Sequence, residues 1–365
     1  MSLPLAIAMT LIFGGEVWQH ETVRFWSVAV GVPLLGVSML FFIRTMVLLG
    51  QPGVAEGWSE ALDADRVKRL RHGRCSQQIL AVSLHSALPP CGMNERRVRS
   101  GLIAPENVLL GAFAHAVAEL APTLKQLPET TPLVVVLDVD SGLPTDVVQG
   151  MWQQAWGASG LRQTARPFGF SGLAAVEHWL GKSLADPGLL MVMAVQTASR
   201  HRPGAAEVAV GLLLGRRMLP TTPAPVASLY RPGQQREAGP EALRDAAHQA
   251  LEWASLPASA IERVWQTGVD PRRSLCLATV LSAAGLPQAH KGEMCKLNAL
   301  LGQVGNASPW LGIAAASQKI KEGAGPQFMF SGDGGVEDGL WCTVLTPAPP
   351  LLKQGVSAAG APDVR

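Results

Sequence analysis

The sequence predicts a layered α/β protein that follows an apolar, membrane-directed amino terminus. From about residue 77 onward, short apolar runs that suit buried strands alternate with longer alanine-rich stretches that suit amphipathic helices. Near the amino terminus, residues 25–43 form a run of 19 residues without a charge. The 365 residues, 48% hydrophobic and 16% charged, are enough to bury one large core or two fused smaller ones.

Residues 1–50 are predicted to form a membrane anchor of one or two transmembrane helices. The uncharged run Phe25–Ile43 approaches the roughly 20 residues needed to cross the hydrocarbon core. Trp26 near its start suits an interfacial position. The earlier apolar stretch Leu3–Gly15 is shorter, so it is either a thin first span or an interfacial segment. With both spans crossing, the anchor is a transmembrane helical hairpin.

The next segment, residues 51–76, is predicted to be a basic linker helix. Positive side chains follow the apolar run at Arg44, Arg66, Lys68, Arg69, Arg71 and Arg74. Because positive residues near a span are retained on the cytoplasmic side, we expect the globular part at the cytoplasmic face of a bacterial inner membrane.

The globular part is predicted as two halves, residues 77–221 and 222–347, with a disordered tail at 348–365. The Pro- and Gly-rich segment 222–241 is typical of a connection between them. The predicted strands cover residues 79–87, 132–140, 188–198, 206–216, 263–268 and 340–345. The predicted helices cover Asn107–Leu120, Asp146–Trp156, Gly172–Leu180, Glu241–Ser255 and Leu311–Ile320.

Composition and spacing predict no metal, no cofactor and no nucleic-acid partner. The formal net charge is only +2, and neither a P-loop nor a dinucleotide-binding fingerprint occurs. His72, His85 and His115 are predicted to be surface or core positions and not ligands. The cysteines show neither CxxC pairing nor metal-ligand spacing; they are Cys75, Cys91, Cys276, Cys295 and Cys342.

Several segments occur in the order found in one known fold. The stretch that begins at Glu241 is similar to the helix and strand that lead into a His-Gly-Thr-Gly-Thr loop. Residues 296–320 resemble a Thr-Gly-His segment with its following helix, and residues 328–345 a Gly-rich turn with a final strand. In the first half, FSGLAAVEHWL resembles the helix that carries a nucleophile. The chain therefore resembles the thiolase-like superfamily, β-ketoacyl synthases in particular, over about Gln77–Thr346. This resemblance implies a duplicated α/β/α/β/α fold.

The same resemblance implies a catalytic set that this chain lacks. Such enzymes need a cysteine at a helix amino terminus, and two histidines, or a histidine and an asparagine, that stabilise the enolate and the thioester oxygen. Threonine and glutamine cannot replace the proton transfer of an imidazole. The positions that match the family set are Gly169, Phe170 or Ser171 for the nucleophile, Thr267 and Gln303 for the histidines, and Asn298 for the lysine.

Two groups are candidate replacements for the catalytic residues that this chain lacks. Ser171 begins a predicted helix, but no base is placed beside it, so it is predicted to be a helix N-cap and not a nucleophile. Asp138 and Asp140 lie at a strand end before a turn, where aspartate commonly bonds to local backbone. No catalytic residue is therefore predicted.

The predicted function is that of a membrane-anchored, catalytically inactive thiolase-like protein that acts as an adaptor or scaffold. The resemblance implies a homodimer, or a heterodimer with an active synthase, and an adaptor also needs a further protein partner. Two alternatives stay open. One is an enzyme that processes acyl thioesters with an atypical nucleophile, and the other is an accessory component of a secretion system.

Overall fold

The chain divides into two compact units, Met1–Arg69 and Leu70–Arg365. A computed structural model describes Gly31 and residues 34–46, 74–86, 104–182, 188–197, 205–216, 223–287, 294–332 and 339–349. The predicted first span, most of the basic linker, Cys91 and nearly all of the predicted tail lie outside these residues.

The amino-terminal unit contributes one described helix, α1, at Leu34–Met46. Its apolar side chains are exposed, from 48% for Ile43 to 72% for Phe41. At 1.5 Å per residue, α1 is about 20 Å long, whereas the hydrocarbon core of a bilayer measures about 30 Å. The structure therefore places an apolar helix over the second half of the predicted span, and it shows no second span among the described residues of this unit.

The second unit contains one mixed sheet of eleven strands. Their order across the sheet is β3-β2-β4-β5-β1-β6-β11-β10-β8-β9, and β7 pairs with β11. The strands are β1 (Ser76–Ser86), β2 (Leu133–Asp140), β3 (Ala165–Pro167), β4 (Leu189–Gln196), β5 (Val208–Arg216), β6 (Ala227–Tyr230), β7 (Gly233–Gln234), β8 (Arg263–Thr267), β9 (Met294–Lys296), β10 (Gln327–Ser331) and β11 (Trp341–Pro347).

Seven α-helices of this unit are described, and the longer ones cover the sheet. They are α2 (Pro105–Lys125), α3 (Thr145–Ala158), α4 (Gly172–Lys182), α5 (Pro240–Ala254), α6 (Ser274–Ala283), α7 (Leu297–Leu301) and α8 (Ser308–Lys321). All six predicted strands and all five predicted helices are thereby confirmed, with ends shifted by a few residues.

The sheet repeats one pattern twice. In the first half, β3, β2 and β4 are parallel, and β5 and β1 follow antiparallel. In the second half, β9, β8 and β10 are parallel, and β11 and β6 follow antiparallel. The halves join where β1 pairs antiparallel with β6. This repeat confirms the duplication that the resemblance implies.

Three apolar clusters divide the unit into layers. One cluster packs α2 and α3 on the first half of the sheet, and another packs α5 and α6 on the second half. The third lies between the two halves and contains α4 and α8. Successive residues of β4 alternate between the first and third clusters, as the pleat of a strand requires. The helices α4 and α8 are therefore the central layer.

Helix α2 is the described helix whose length and hydropathy would allow it to cross a membrane. Leu109, Phe113 and Leu120 on this helix have no exposed surface and lie in the cluster with β4 and β5. In this structure, α2 is therefore a core helix of the globular unit.

One sequence prediction about the connection needs correction. Residues 222–241 do more than link two halves, because β6 lies in the middle of the sheet and β7 pairs with β11. Strand β6 has only four residues, and β7 has two. Such short strands leave no apolar alternation in the sequence that could reveal them.

Candidate functional site

The start of α4 is held by an aspartate from another element. Oδ2 of Asp138, near the end of β2, accepts a hydrogen bond from the N–H of Gly172 at 2.8 Å. The same oxygen accepts one from Nε1 of Trp310 in α8 at 2.5 Å. Asp138 is 5% exposed, and Trp310 has no exposed surface. One carboxyl oxygen therefore ties both central helices together.

These bonds bear on two predictions. The sequence predicts bonds between Asp138 and local backbone, whereas the Gly172 and Trp310 donors lie 34 and 172 residues away along the chain. Ser171 was expected to cap α4, but its hydroxyl makes no hydrogen bond with a described residue, while Asp138 binds the first N–H of the helix. Ser171 itself is exposed. Asp140 lies beside Gln196, whose amide nitrogen, in its better orientation, is 3.2 Å from Oδ2 of Asp140.

Three of the family positions meet in one hydrogen-bonded cluster at the end of β8. The hydroxyl of Thr267 donates to the carbonyl of Ser308, at the start of α8, at 3.0 Å. Oδ1 of Asn298 accepts from the N–H of Gly268 at 2.8 Å, and Nδ2 of Asn298 is 3.3 Å from Oε1 of Gln303. These hydrogen bonds therefore hold β8, α7 and α8 together.

Two other matched positions, Gly169 and Ser171, lie near the start of α4 and not at the end of β8. Gly169 is an exposed residue in the loop before α4. Ser171 lines a pocket of about 320 Å³ at the start of that helix. The other polar side chains that line it are Asp138, Gln234 and Asn306. No cysteine or histidine of the described residues lines this pocket.

Burial disfavours the deprotonation of two described cysteines, Cys295 and Cys342. Burial raises the pKa of Cys295, against the opposing charge of Arg263. Burial alone raises the pKa of Cys342, which lies in the cluster under α5 and α6. A nucleophilic thiol needs a lowered pKa, so both shifts run against thiolate formation. Cys276 is exposed on α6, and Cys75 lies just before β1.

Aromatic side chains pack around the start of α4. Trp310 has no exposed surface and lies in the central cluster. Phe168 packs partly against that cluster, whereas Phe170 is 39% exposed and stacks on His178 with ring centroids 3.7 Å apart. The space left at the α4 terminus is the polar pocket described above.

Comparison with known proteins identifies this architecture. No protein-family model and no curated protein sequence matches the chain. The structure is similar to a chain of AntDE:AntF, a type II PKS acyl-carrier protein in complex with its ketosynthase, with a TM-score of 0.52 and 10% identity over 75% of this chain and 99% of that one. It is also similar to ketosynthase twelve of the bacillaene polyketide synthase of Bacillus amyloliquefaciens, with a TM-score of 0.50 and 11% identity over 76% of each chain.

The chain has the thiolase-like fold. The sequence resemblance implies that α4 is the nucleophile helix of this fold and that the end of β8 is its histidine loop. The thiolase-like scaffold is therefore present in both halves.

Proposed function

We propose that this chain is a membrane-anchored, catalytically inactive thiolase-like protein that acts as an adaptor or scaffold at the cytoplasmic face of a bacterial inner membrane. The observation that carries the proposal is the start of α4. There, Oδ2 of Asp138 accepts a hydrogen bond from the first N–H of the helix, and no described histidine or cysteine lines the neighbouring pocket.

The placement of Asp138 opposes nucleophilic chemistry at Ser171. A helix amino terminus stabilises negative charge through its free N–H groups and its dipole. Here the N–H of Gly172 already donates to Asp138, so it is not available to a developing oxyanion. An electron-rich carboxyl oxygen at this point also disfavours a second negative charge nearby. Asp138 is buried and engaged by two donors, which makes it a poor base for Ser171.

The first test is an assay with acyl thioesters. We expect the full chain in detergent to neither hydrolyse nor condense acyl thioesters above the uncatalysed rate. We also expect Ser171→Ala to recover the same co-purifying proteins from membranes as the unsubstituted chain, since an adaptor does not need this hydroxyl. Thioester turnover that disappears in Ser171→Ala would favour the enzyme alternative and end the scaffold proposal.

Membrane attachment is proposed through α1 and the uncharged run Phe25–Ile43 that overlaps it. Leu34, the middle residue of that run and the first of α1, is 58% exposed. A lysine at the centre of a membrane helix costs about 2.5–3.5 kcal/mol on insertion scales. We therefore expect Leu34→Lys to move a large fraction of the protein out of carbonate-washed membranes, measured by immunoblot. The matched control is Leu300→Lys, because Leu300 is 65% exposed but lies on α7 of the globular unit. Equal membrane retention of the two variants would contradict anchoring by α1.

Orientation and partners complete the proposal. The basic residues after the uncharged run support a cytoplasmic globular unit, and labelling of the exposed Cys276 by an impermeant maleimide in intact cells would argue against it.

A homodimer, or a heterodimer with an active synthase, is proposed through β3, which lies at the end of the sheet directly before α4. Light scattering of the detergent-solubilised chain measures this assembly.

A further inference from the structure

A second cluster of titratable side chains lies on elements that do not line the polar pocket. His85 comes from β1, and His115 and Glu119 are one turn apart on α2. Nε2 of His85 is 3.1 Å from Oε2 of Glu119, and Nε2 of His115 is 3.8 Å from Oε1 of the same carboxylate. The two imidazole rings have centroids 4.1 Å apart. The fold thus brings together two histidines that the sequence predicted as separate surface or core positions.

The three groups have the donor types and spacing of a metal site. One ligand atom from each residue can be chosen so that all lie within 4.8 Å of one another. Zinc binds imidazole nitrogen and carboxylate oxygen at about 2.0–2.2 Å, which places tetrahedral ligand atoms about 3.3 Å apart. The two histidines approach different oxygens of Glu119, His85 at 3.1 Å from Oε2 and His115 at 3.8 Å from Oε1, and both distances are close to this value. A shared ion would bind either both carboxylate oxygens or one of them after rotation of the side chains.

The contact between His85 and Glu119 places a buried ring nitrogen against a carboxylate oxygen without a hydrogen bond between them. Nε2 of His85 is shielded from solvent and makes no hydrogen bond with a described residue, despite its short distance to Glu119. A ring nitrogen lone pair and a carboxylate oxygen repel each other at this distance unless a proton or a cation lies between them. A metal ion would satisfy both imidazoles and the carboxylate at once.

A cavity of about 470 Å³ opens beside the two histidines. His85 and His115 both line it, together with Gln196, Thr197 and Glu207. Three protein ligands leave at least one coordination position of a tetrahedral ion for water or another small ligand. Since both ring ligands border the cavity, that position would face it.

We propose that His85, His115 and Glu119 bind a divalent transition-metal ion of the zinc class, with the remaining coordination position open to this cavity. Two imidazoles and one carboxylate suit zinc or ferrous iron, and they are poor ligands for calcium and magnesium, which prefer oxygen. The proposal does not depend on the scaffold function, because none of these residues belongs to the α4 terminus or to the β8 cluster.

The test is a zinc titration of the full chain in detergent against a chromogenic chelator. We expect one equivalent of Zn²⁺ to bind, and His115→Ala and Glu119→Gln each to weaken binding by more than about 10-fold, since even groups that only orient metal ligands have effects of that size. His248→Ala is the matched control, because His248 is an exposed histidine on the surface of another helix, α5. It should bind Zn²⁺ as tightly as the unsubstituted chain.

A second measurement, the unfolding temperature of the unsubstituted chain, does not depend on how well the variants fold. On the unsubstituted chain alone, Zn²⁺ should raise the unfolding temperature and Mg²⁺ should not, because only an ion that binds the native state stabilises it. Co²⁺ in place of Zn²⁺ should give the visible absorption of a site with nitrogen and oxygen ligands. The proposal is overturned if no stoichiometric Zn²⁺ binds, or if His248→Ala weakens binding as much as His115→Ala does.

Discussion

Gly268→Ala is expected to lower the free energy of unfolding of the globular unit by more than about 4 kcal/mol, a loss reached by few single substitutions. Gly268 follows β8 with a φ of 63°, a conformation that favours glycine. A Cβ at this position would overlap the carbonyl oxygen of Gly332, and it would lie 2.7 Å from Cβ of Ser308. Backbone on one side and the start of α8 on the other leave little room for adjustment.

A control at Gly285 separates this overlap from the cost of the backbone conformation. Gly285 has a similar φ of 67°, but the nearest atom to an added Cβ is 3.8 Å away, on Ala258. Gly285→Ala should therefore cost only the left-handed conformation, about 1–2 kcal/mol. Urea unfolding of both variants, followed by circular dichroism, measures the difference. Equal midpoints would mean that the ends of β8 and β10 can separate, contrary to the close approach described.

Hydrogen bonds of Thr267 and Gly268 hold the loop at the end of β8 in place. Its N–H donates to Asn298, and the preceding Thr267 bonds to Ser308. In condensing enzymes, the resemblance places a histidine at the position of Thr267, and an imidazole is much larger than a threonine side chain. Thr267 has no exposed surface here. The loop therefore has a structural role that the family's catalytic residue could not share without repacking.

The sequence predicted the layered fold because its long elements have strong patterns. All eight residues of β4 are buried, so this strand reads as a continuous apolar run. Helix α5 has a regular apolar stripe that includes Leu243, Ala247 and Leu251. Helix α6, SLCLATVLSA, was missed because it is apolar on most sides, and periodicity cannot distinguish such a segment from a strand.

The contacts of the candidate site could not be predicted from the sequence. The assignment of the matched positions depends only on residue type and order along the chain, and it stays a prediction. The bond between Asp138 and Trp310 joins residues 172 positions apart, and no local pattern relates them. Similarly, the spacing of His115 and Glu119 by one helical turn is visible in the sequence, whereas only the pairing of α2 with β1 brings His85 to them.

Asp138→Ala is expected to lower the free energy of unfolding by about 3–5 kcal/mol, since a hydrogen bond to a charged group contributes about 1.5–3 kcal/mol and its loss leaves a donor unpaired. The substitution removes the acceptor of both the Gly172 N–H and the Trp310 indole. The indole has no exposed surface, so water cannot replace the lost partner without opening the central layer. The start of α4 should loosen at the same time.

Two further variants identify the cause of this loss. Both donors point at the same oxygen, Oδ2, so Asp138→Asn can present an amide oxygen there and should retain part of the stability. Asp245→Ala removes a carboxylate whose side chain is 75% exposed beside Arg244, and it should change stability by less than about 0.5 kcal/mol. Urea midpoints in the order Asp245→Ala, Asp138→Asn, Asp138→Ala, from most to least stable, would support a structural carboxylate. If Asp138→Ala were as stable as Asp245→Ala, the stability of the two central helices would not depend on this carboxyl group, contrary to the role described.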